Sequence, residues 1–234
     1  MREQVTIDRR FRGPPDSANG GYVCGLLAGF LDTTAEVTLR RPPPIERPLT
    51  IEGDSGRVSL CDGETLIAEA VPSRVDIDAP SPVSFEDASV AAKGCVALKH
   101  DLPYVTCFVC GVGRSERDGL RIFPGALKGR DAVAAPWIPE ASLADDSGTV
   151  RPEFVWSALD CPGAFAFIKS ASDVVMLGRL TANIVIPVPQ DSRFVVMGWP
   201  LGSDGRKLYA GSALFSENGT LHALAKATWI KVES

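Results

Sequence analysis

The stretch Gly20-Gly-Tyr-Val-Cys-Gly-Leu-Leu-Ala-Gly-Phe-Leu31 constrains this chain more than any other feature, because it is apolar all the way round. A helix with no polar stripe cannot rest on a surface and has to be enclosed. A second stretch of the same kind, Pro152-Glu-Phe-Val-Trp-Ser-Ala-Leu-Asp-Cys-Pro-Gly-Ala-Phe-Ala-Phe-Ile168, opens on a proline suited to a first helical turn. Helices are therefore predicted over 20–31 and 152–168. In the first, Gly21, Gly25 and Gly29 recur every four residues. That spacing puts three residues without side chains on one stripe, where another backbone can approach closely.

The segments after the two helices resemble each other. After the first come Ala35 to Pro42, Pro48 to Gly53, Arg57 to Leu60, a Cys61-Asp62-Gly63-Glu64 turn and Thr65 to Val75. After the second come Thr181 to Pro189, Arg193 to Trp199, a Ser203-Asp204-Gly205 turn, Leu208 to Phe215, an Asn218-Gly219 turn and Thr220 to Ile230. Alternating or β-branched runs broken by Asp-Gly and Asn-Gly are hairpin signals, read here as turns with both central residues at positive φ. Each half is thus a buried helix followed by an antiparallel meander, and an internal repeat of this kind organises the whole chain. One apolar helix beside four or five strands is covered only if the sheet wraps around it. The reading is α+β, in two tandem units over 1–80 and 101–234 with a linker over 81–100, where Asp76-Ile-Asp-Ala-Pro-Ser-Pro-Val-Ser84 changes the composition.

Composition removes several classes of function. Net charge is −5, from 24 basic and 29 acidic residues without long runs, so there is no basic footprint for a nucleic-acid partner. The longest apolar stretch, Tyr22 to Leu31, is roughly half of what a bilayer requires, and the N-terminus has no apolar signal core. A cytoplasmic protein with no membrane association is expected. Six cysteines are too few for a disulfide scaffold, and Cys24 and Cys161 are read as thiols packing as small hydrophobes in a reducing compartment.

Several motifs resemble a known group. Asn19-Gly20-Gly21 followed by an apolar run resembles the start of the central helix in small bacterial hotdog thioesterases, and Trp156-Ser-Ala-Leu-Asp160 resembles the end of that run. Cys107-Phe-Val-Cys-Gly111 with Asp118-Gly-Leu-Arg-Ile-Phe123 resembles their opening strand. The chain as a whole is similar to the bacterial thioesterase II group. The resemblance implies a double hotdog, hydrolysis of acyl-CoA or acyl-carrier thioesters, and no cofactor. It also implies one composite site, with the glycine turn kept in the first helix and the carboxylate in the second. Placed register for register, Asn19-Gly20-Gly21 falls against Arg151-Pro152-Glu153 and Ala28 against Asp160. The complementary losses leave one intact site and one dead one.

The chemistry fits those residues. Thioester hydrolysis needs its developing oxyanion stabilised, and Gly20 and Gly21 at a helix N-terminus offer aligned N–H donors at the positive end of the dipole. Asn19 caps the helix or contacts the substrate carbonyl; alternatively Asn-Gly-Gly is only a turn and cap. Asp160, the one carboxylate in the helix body, serves as base for water or as nucleophile, its pKa raised by desolvation. Alternatively it caps locally where Pro162 frees the Ala158 carbonyl. The group's partner threonine falls on Thr181 and its glutamine on or near Ala227, a departure that leaves Thr228 or Ser157 as stand-ins. Tyr22, Trp156, Ser157, Phe11 and Arg12 are expected to bind substrate, with Phe154 beside them, although core packing also explains the aromatics. Arg9, Arg10, Arg12, Arg40 and Arg41 can meet the phosphates of coenzyme A or form a solvated face.

Cys107 and Cys110 have the spacing of half a zinc site, but no second Cys-x-x-Cys or histidine pair completes four ligands, so no metal is expected. With only His100 and His222, and no Gly-x-Ser-x-Gly, a serine triad is disfavoured. Two readings stand beside hydrolysis: a non-catalytic acyl or acyl-CoA binding module, and a purely structural protein of the kind that associates into homo-oligomers.

Overall fold

The structure, a computed structural model, describes residues 1–31, 33–99, 103–170 and 172–232, so His100 lies outside it. In the first half, strand β1 (Arg2–Thr6) precedes helix α1 (Gly20–Ala28), and then β2 (Ala35–Leu39), β3 (Pro48–Gly53), β4 (Val58–Asp62) and β5 (Thr65–Pro72) come in turn. Helix α2 (Phe85–Ala92) and the short strands β6 (Gly125–Ala126) and β7 (Val133–Trp137) lead to helix α3 (Pro152–Phe165). A meander of β8 (Val175–Ile184), β9 (Phe194–Asp204), β10 (Lys207–Ser216) and β11 (Leu221–Lys231) closes the chain. The described strands form one antiparallel sheet in the order β1-β3-β4-β5-β2-β8-β11-β10-β9-β7-β6. The two halves join through β2 and β8, with Ala35 opposite Ala182 and Val37 opposite Leu180.

That sheet encloses both apolar helices. In α1, Val23, Cys24 and Leu27 are fully buried, and α3 is buried from Phe154 to Phe165. The helices cross in contact and run antiparallel, because Gly21 meets Trp156, Ser157 and Asp160 whereas Gly25 meets Glu153 and Trp156. A Cβ on Gly21 would stand 2.5 Å from the Asp160 Cβ, and one on Gly25 would stand 2.5 Å from the Glu153 Cα. Two members of the stripe are thus required by the crossing. Gly29 is not, since a Cβ there meets nothing closer than 3.5 Å.

The structure departs from the expectations at three places. The segment from Cys107 to Phe123 is not a strand but a set of turns. Its backbone groups are taken by loops: Phe108 N–H donates to Arg12 O, and Leu120 and Ile122 N–H donate to Phe108 O and Val109 O. The connecting segment 81–100 contains α2, whose Ala88 is fully buried against a satellite cluster with Val195, Met197 and Phe215. Its sequence signal is Ser84-x-x-Asp87: the Ser84 hydroxyl accepts from Asp87 N–H at 3.0 Å and donates to the Asp87 carboxylate. Finally, in the Gly63-Glu64 and Gly205-Arg206 turns only the glycine has positive φ, at 57° and 55°, as in turns with glycine at the first of two central positions. No described helix is long and apolar enough to cross a membrane.

The crossing makes a direct prediction for stability. Gly25→Ala gains helix propensity but forces a Cβ into the Glu153 backbone, and is expected to lower the unfolding free energy by about 1–3 kcal/mol. Gly29→Ala, where a Cβ makes only ordinary van der Waals contacts and φ is −62°, is expected to leave stability unchanged or raise it by about 0.5 kcal/mol. Urea denaturation of the two variants separates these outcomes, and equal behaviour would refute the close crossing.

Candidate active site

The N-terminus of α1 is held by one side chain with two tasks. Asn19 is the N-cap, and its Oδ1 accepts from Tyr22 N–H at 2.9 Å. That bond fixes the amide orientation and turns Nδ2 toward α3, where it donates to Asp160 Oδ2 at 2.8 Å. Gly21 N–H donates to the same oxygen at 3.0 Å. The first-half turn and the second-half carboxylate therefore meet as the register comparison implied, but in direct contact rather than across a gap. The Gly21 amide, expected to face an oxyanion, is occupied by Asp160. Of the other first-turn donors, Tyr22 N–H is used by the cap, and Gly20 remains at the edge of a cavity.

Asp160 is 2% exposed, and its second oxygen, Oδ1, has no hydrogen-bond partner among the described residues. Burial pushes its carboxyl up to about 7, against the opposing pull of the Gly21 N–H; the nearby Cys107 raises it further and Asn19 lowers it. The local alternative at Pro162 does not occur. Helix α3 continues through Pro162 to Phe165, and the carboxylate reaches α1 instead.

Asp160 lines a mainly apolar cavity of about 250 Å³. Asp160, Cys161, Ala164 and Phe165 of α3, with Ile168 just beyond the helix, form one wall; Leu39 of β2, Leu177 of β8 and Trp229 and Ile230 of β11 form others, and Arg40, Arg41, Pro42 and Pro43 are among the remaining lining residues. Arg40 is paired with the buried Glu69, as is Arg57, whereas Arg41 has no ion-pair partner among the described residues. Trp229 Nε1 is a buried donor without a partner among the described residues, and it lies 3.0 Å from where a Cβ of Gly163 would sit, close to one helical turn beyond Asp160. Two residues lining the cavity thus each carry a buried polar atom, one acceptor and one donor, without a partner among the described residues.

Several expected residues lie elsewhere. Thr181 pairs across β8 with Glu36 and Lys226, and its hydroxyl donates to Glu36 Oε2 at 3.3 Å. Strand alternation puts it on the face opposite Leu180 and Ala182, so it is not brought to Asp160. Ser157 Oγ donates to its own helix at Glu153 O, and Trp156 packs on Gly25. Phe11 and Tyr22 stack at 4.3 Å and join Phe108 and Phe154 in an aromatic cluster that does not line the cavity. Arg12 also stays outside the lining, with its Nε buried and unpartnered among the described residues. Ala227 faces Gly163 of α3. Alternation takes Thr228 to the other face and brings Trp229 to the same face as Ala227, the signal that could have identified this indole. Cys161 is not a lone packed thiol: its Sγ lies 3.8 Å from that of Cys107. No spacing rule anticipates a loop cysteine meeting a helix cysteine.

Solved structures with the same architecture span almost the entire chain. The tesB protein of Mycobacterium avium subspecies paratuberculosis is 12% identical with a TM-score of 0.63, over 99% of this chain and 93% of that one. A candidate thioesterase II of Thermobifida fusca is 14% identical with a TM-score of 0.63, over 99% and 92% of the two chains. A hot dog fold protein of Alicyclobacillus acidocaldarius is 8% identical with a TM-score of 0.57, over 100% and 94%. The chain therefore has a hotdog fold of the kind seen in thioesterase structures. No family model and no curated protein matches its sequence.

The double use of Asn19 can be divided by substitution. Asn19→Ser keeps a cap and loses the donor to Asp160, whereas Asn19→Ala loses both. The expected stability cost is about 1–3 kcal/mol for serine, with about 1 kcal/mol more for alanine. Equal unfolding free energies for the two variants would show that the cap contributes nothing.

Proposed function

We propose that the chain is a double hotdog, with units over 1–80 and 101–234 joined by 81–100, and that it hydrolyses acyl thioesters at a single composite site. The observation that carries this reading is Asp160. A buried carboxylate has one oxygen anchored by Gly21 N–H and Asn19 and the other unpartnered, at an apolar cavity. In this reading the acyl group occupies the apolar walls, and Asp160 Oδ1 accepts a proton from water as the water oxygen attacks the thioester carbonyl carbon. The Gly20 N–H, at the positive end of the α1 dipole, and the Trp229 indole N–H are the candidate donors to the developing oxyanion. When the tetrahedral intermediate collapses, the C–S bond breaks and the proton held by Asp160 passes to the leaving thiolate. Arg41 at the cavity mouth suits the phosphates of a coenzyme A or carrier arm. Trp229 replaces Thr181 in the proposed catalytic set.

A second reading, an acyl-thioester binding protein without turnover, has its own observation: the Gly21 amide is already spent on Asp160, and Ala227 offers no hydrogen bond to a water. Both readings use the same cavity.

A panel of acyl-CoA esters of increasing chain length, followed by free-thiol release, decides between them. The expected result is turnover that falls by about 10²- to 10⁴-fold in Asp160→Asn, a variant retaining the shape of the side chain and its capacity to accept from Gly21. Saturable acyl-CoA binding with no thiol release supports the binding protein instead. Turnover undiminished in both Asp160→Asn and Asp160→Ala would remove the site assignment.

A further inference from the structure

The cavity has a second polar group that hydrolysis does not use. Cys107 and Cys110, from the loop between α2 and β6, and Cys161, from α3, bring three thiol sulfurs within 4.8 Å of one another, and all three side chains are buried. They come from parts of the chain that the sheet topology keeps apart, and all three line the same cavity as Asp160.

The loop that presents the first two is shaped tightly. Cys107 N–H donates to Tyr104 O and Gly111 N–H donates to Cys107 O at 2.9 Å, closing a turn around Cys-x-x-Cys. Any Cβ at Gly111 would stand 2.5 Å from the Cys107 carbonyl, so the residue after the second cysteine has to be glycine. The Arg114 guanidinium locks the turn from behind, donating to Thr106 O and Arg10 O and pairing with Asp118. The turn thus holds the Cys107 and Cys110 sulfurs beside that of Cys161, and cysteine binds a metal as the thiolate, releasing its proton when the ion binds.

We propose that Cys107, Cys110 and Cys161 form a three-thiolate site for a zinc-class divalent ion, with the fourth coordination position open to the cavity. Zinc–sulfur bonds of about 2.3 Å place sulfurs on the corners of a tetrahedron roughly 3.8 Å apart, and Cys107 Sγ and Cys161 Sγ are 3.8 Å apart. Three protein ligands with a vacant fourth position are the pattern of sites that take water or an exogenous ligand. The cavity beside the sulfurs supplies the access such a ligand needs. The sequence offered only the half-site of Cys107 and Cys110 and no metal was expected from it; Cys161 supplies a third ligand, and the fourth position belongs to a small molecule, a water or a thiol. Binding also ties the Cys107 loop to α3, so the ion is expected to raise thermal stability.

Cobalt(II) titration of the reduced, metal-free full-length protein tests this without reference to hydrolysis, so failure here leaves the thioesterase assay unaffected. The expected result is one equivalent bound, a near-ultraviolet thiolate-to-cobalt band, intense visible absorption of a tetrahedral ion, and loss of both on adding Zn²⁺. Cys161→Ser is expected to lose the saturable band, Cys61→Ser, on β4, to keep it, and Cys161→Ala to replace the serine variant if that does not fold. Adding 2-mercaptoethanol is expected to shift the visible bands. Absence of the charge-transfer band in the unsubstituted protein, or its persistence at full strength in Cys161→Ser or Cys161→Ala, would overturn the site; visible bands indifferent to added thiol would overturn the open position.

Discussion

The rest of the molecule depends on the close crossing of two helices that have no polar face. Because α1 and α3 are apolar all round, neither is stable alone in water, and each covers part of the other. Gly21 and Gly25 allow the backbones to approach, and at that distance the N-terminus of α1 arrives directly on the side chain of Asp160. A β-carbon at either glycine would separate the helices and remove the contact on which the site is built. The packing constraint and the chemical one therefore coincide in the same residues.

Burying Asp160 has an electrostatic cost that the fold offsets only in part. Oδ2 receives the Gly21 amide and the Asn19 side chain near the positive end of a helix dipole, whereas Oδ1 receives nothing from the described residues. Desolvation outweighs the two donors, and the carboxyl moves up to about 7. A group left half satisfied beside an apolar cavity is poised for a ligand's proton or water. The same cavity is lined by Trp229, whose indole N–H is unpartnered among the described residues, and by the three clustered thiols, so unmet polar capacity concentrates around it.

The two helices and their flanking strands contribute unequally to the cavity. The first contributes a glycine turn, a capping asparagine and Arg41; the second contributes the carboxylate, the indole and Cys161. At the other end of the crossing, Gly25 lies on Glu153 and Trp156, and Ala28 offers no carboxylate to match Asp160. The loop between the halves does more than connect. Helix α2 caps itself through Ser84 and buries Ala88 on the second half's sheet, and the Cys107 turn delivers two sulfurs to α3.

How far the sequence alone could be read depends on the range of each interaction. The buried helices, strands β9 to β11 and the hairpin turns come from local periodicity and turn residues, and β3, β4 and β5 fall where alternation and Asp-Gly put them, whereas β8, expected over Thr181 to Pro189, runs from Val175 to Ile184. The pairing of Asn19-Gly20-Gly21 with Asp160 was an expectation from a family resemblance and a comparison of the two helix registers, and neither gives the hydrogen bonds that form it. Tertiary structure decided what local pattern cannot encode: that Gly21 donates to Asp160 and not to an open cavity, that Thr181 turns toward Glu36, and that Trp229 faces Asp160's cavity. It also decided that Cys161 meets Cys107 across 54 residues, since distance in the chain says nothing about distance in space once a sheet folds around two helices.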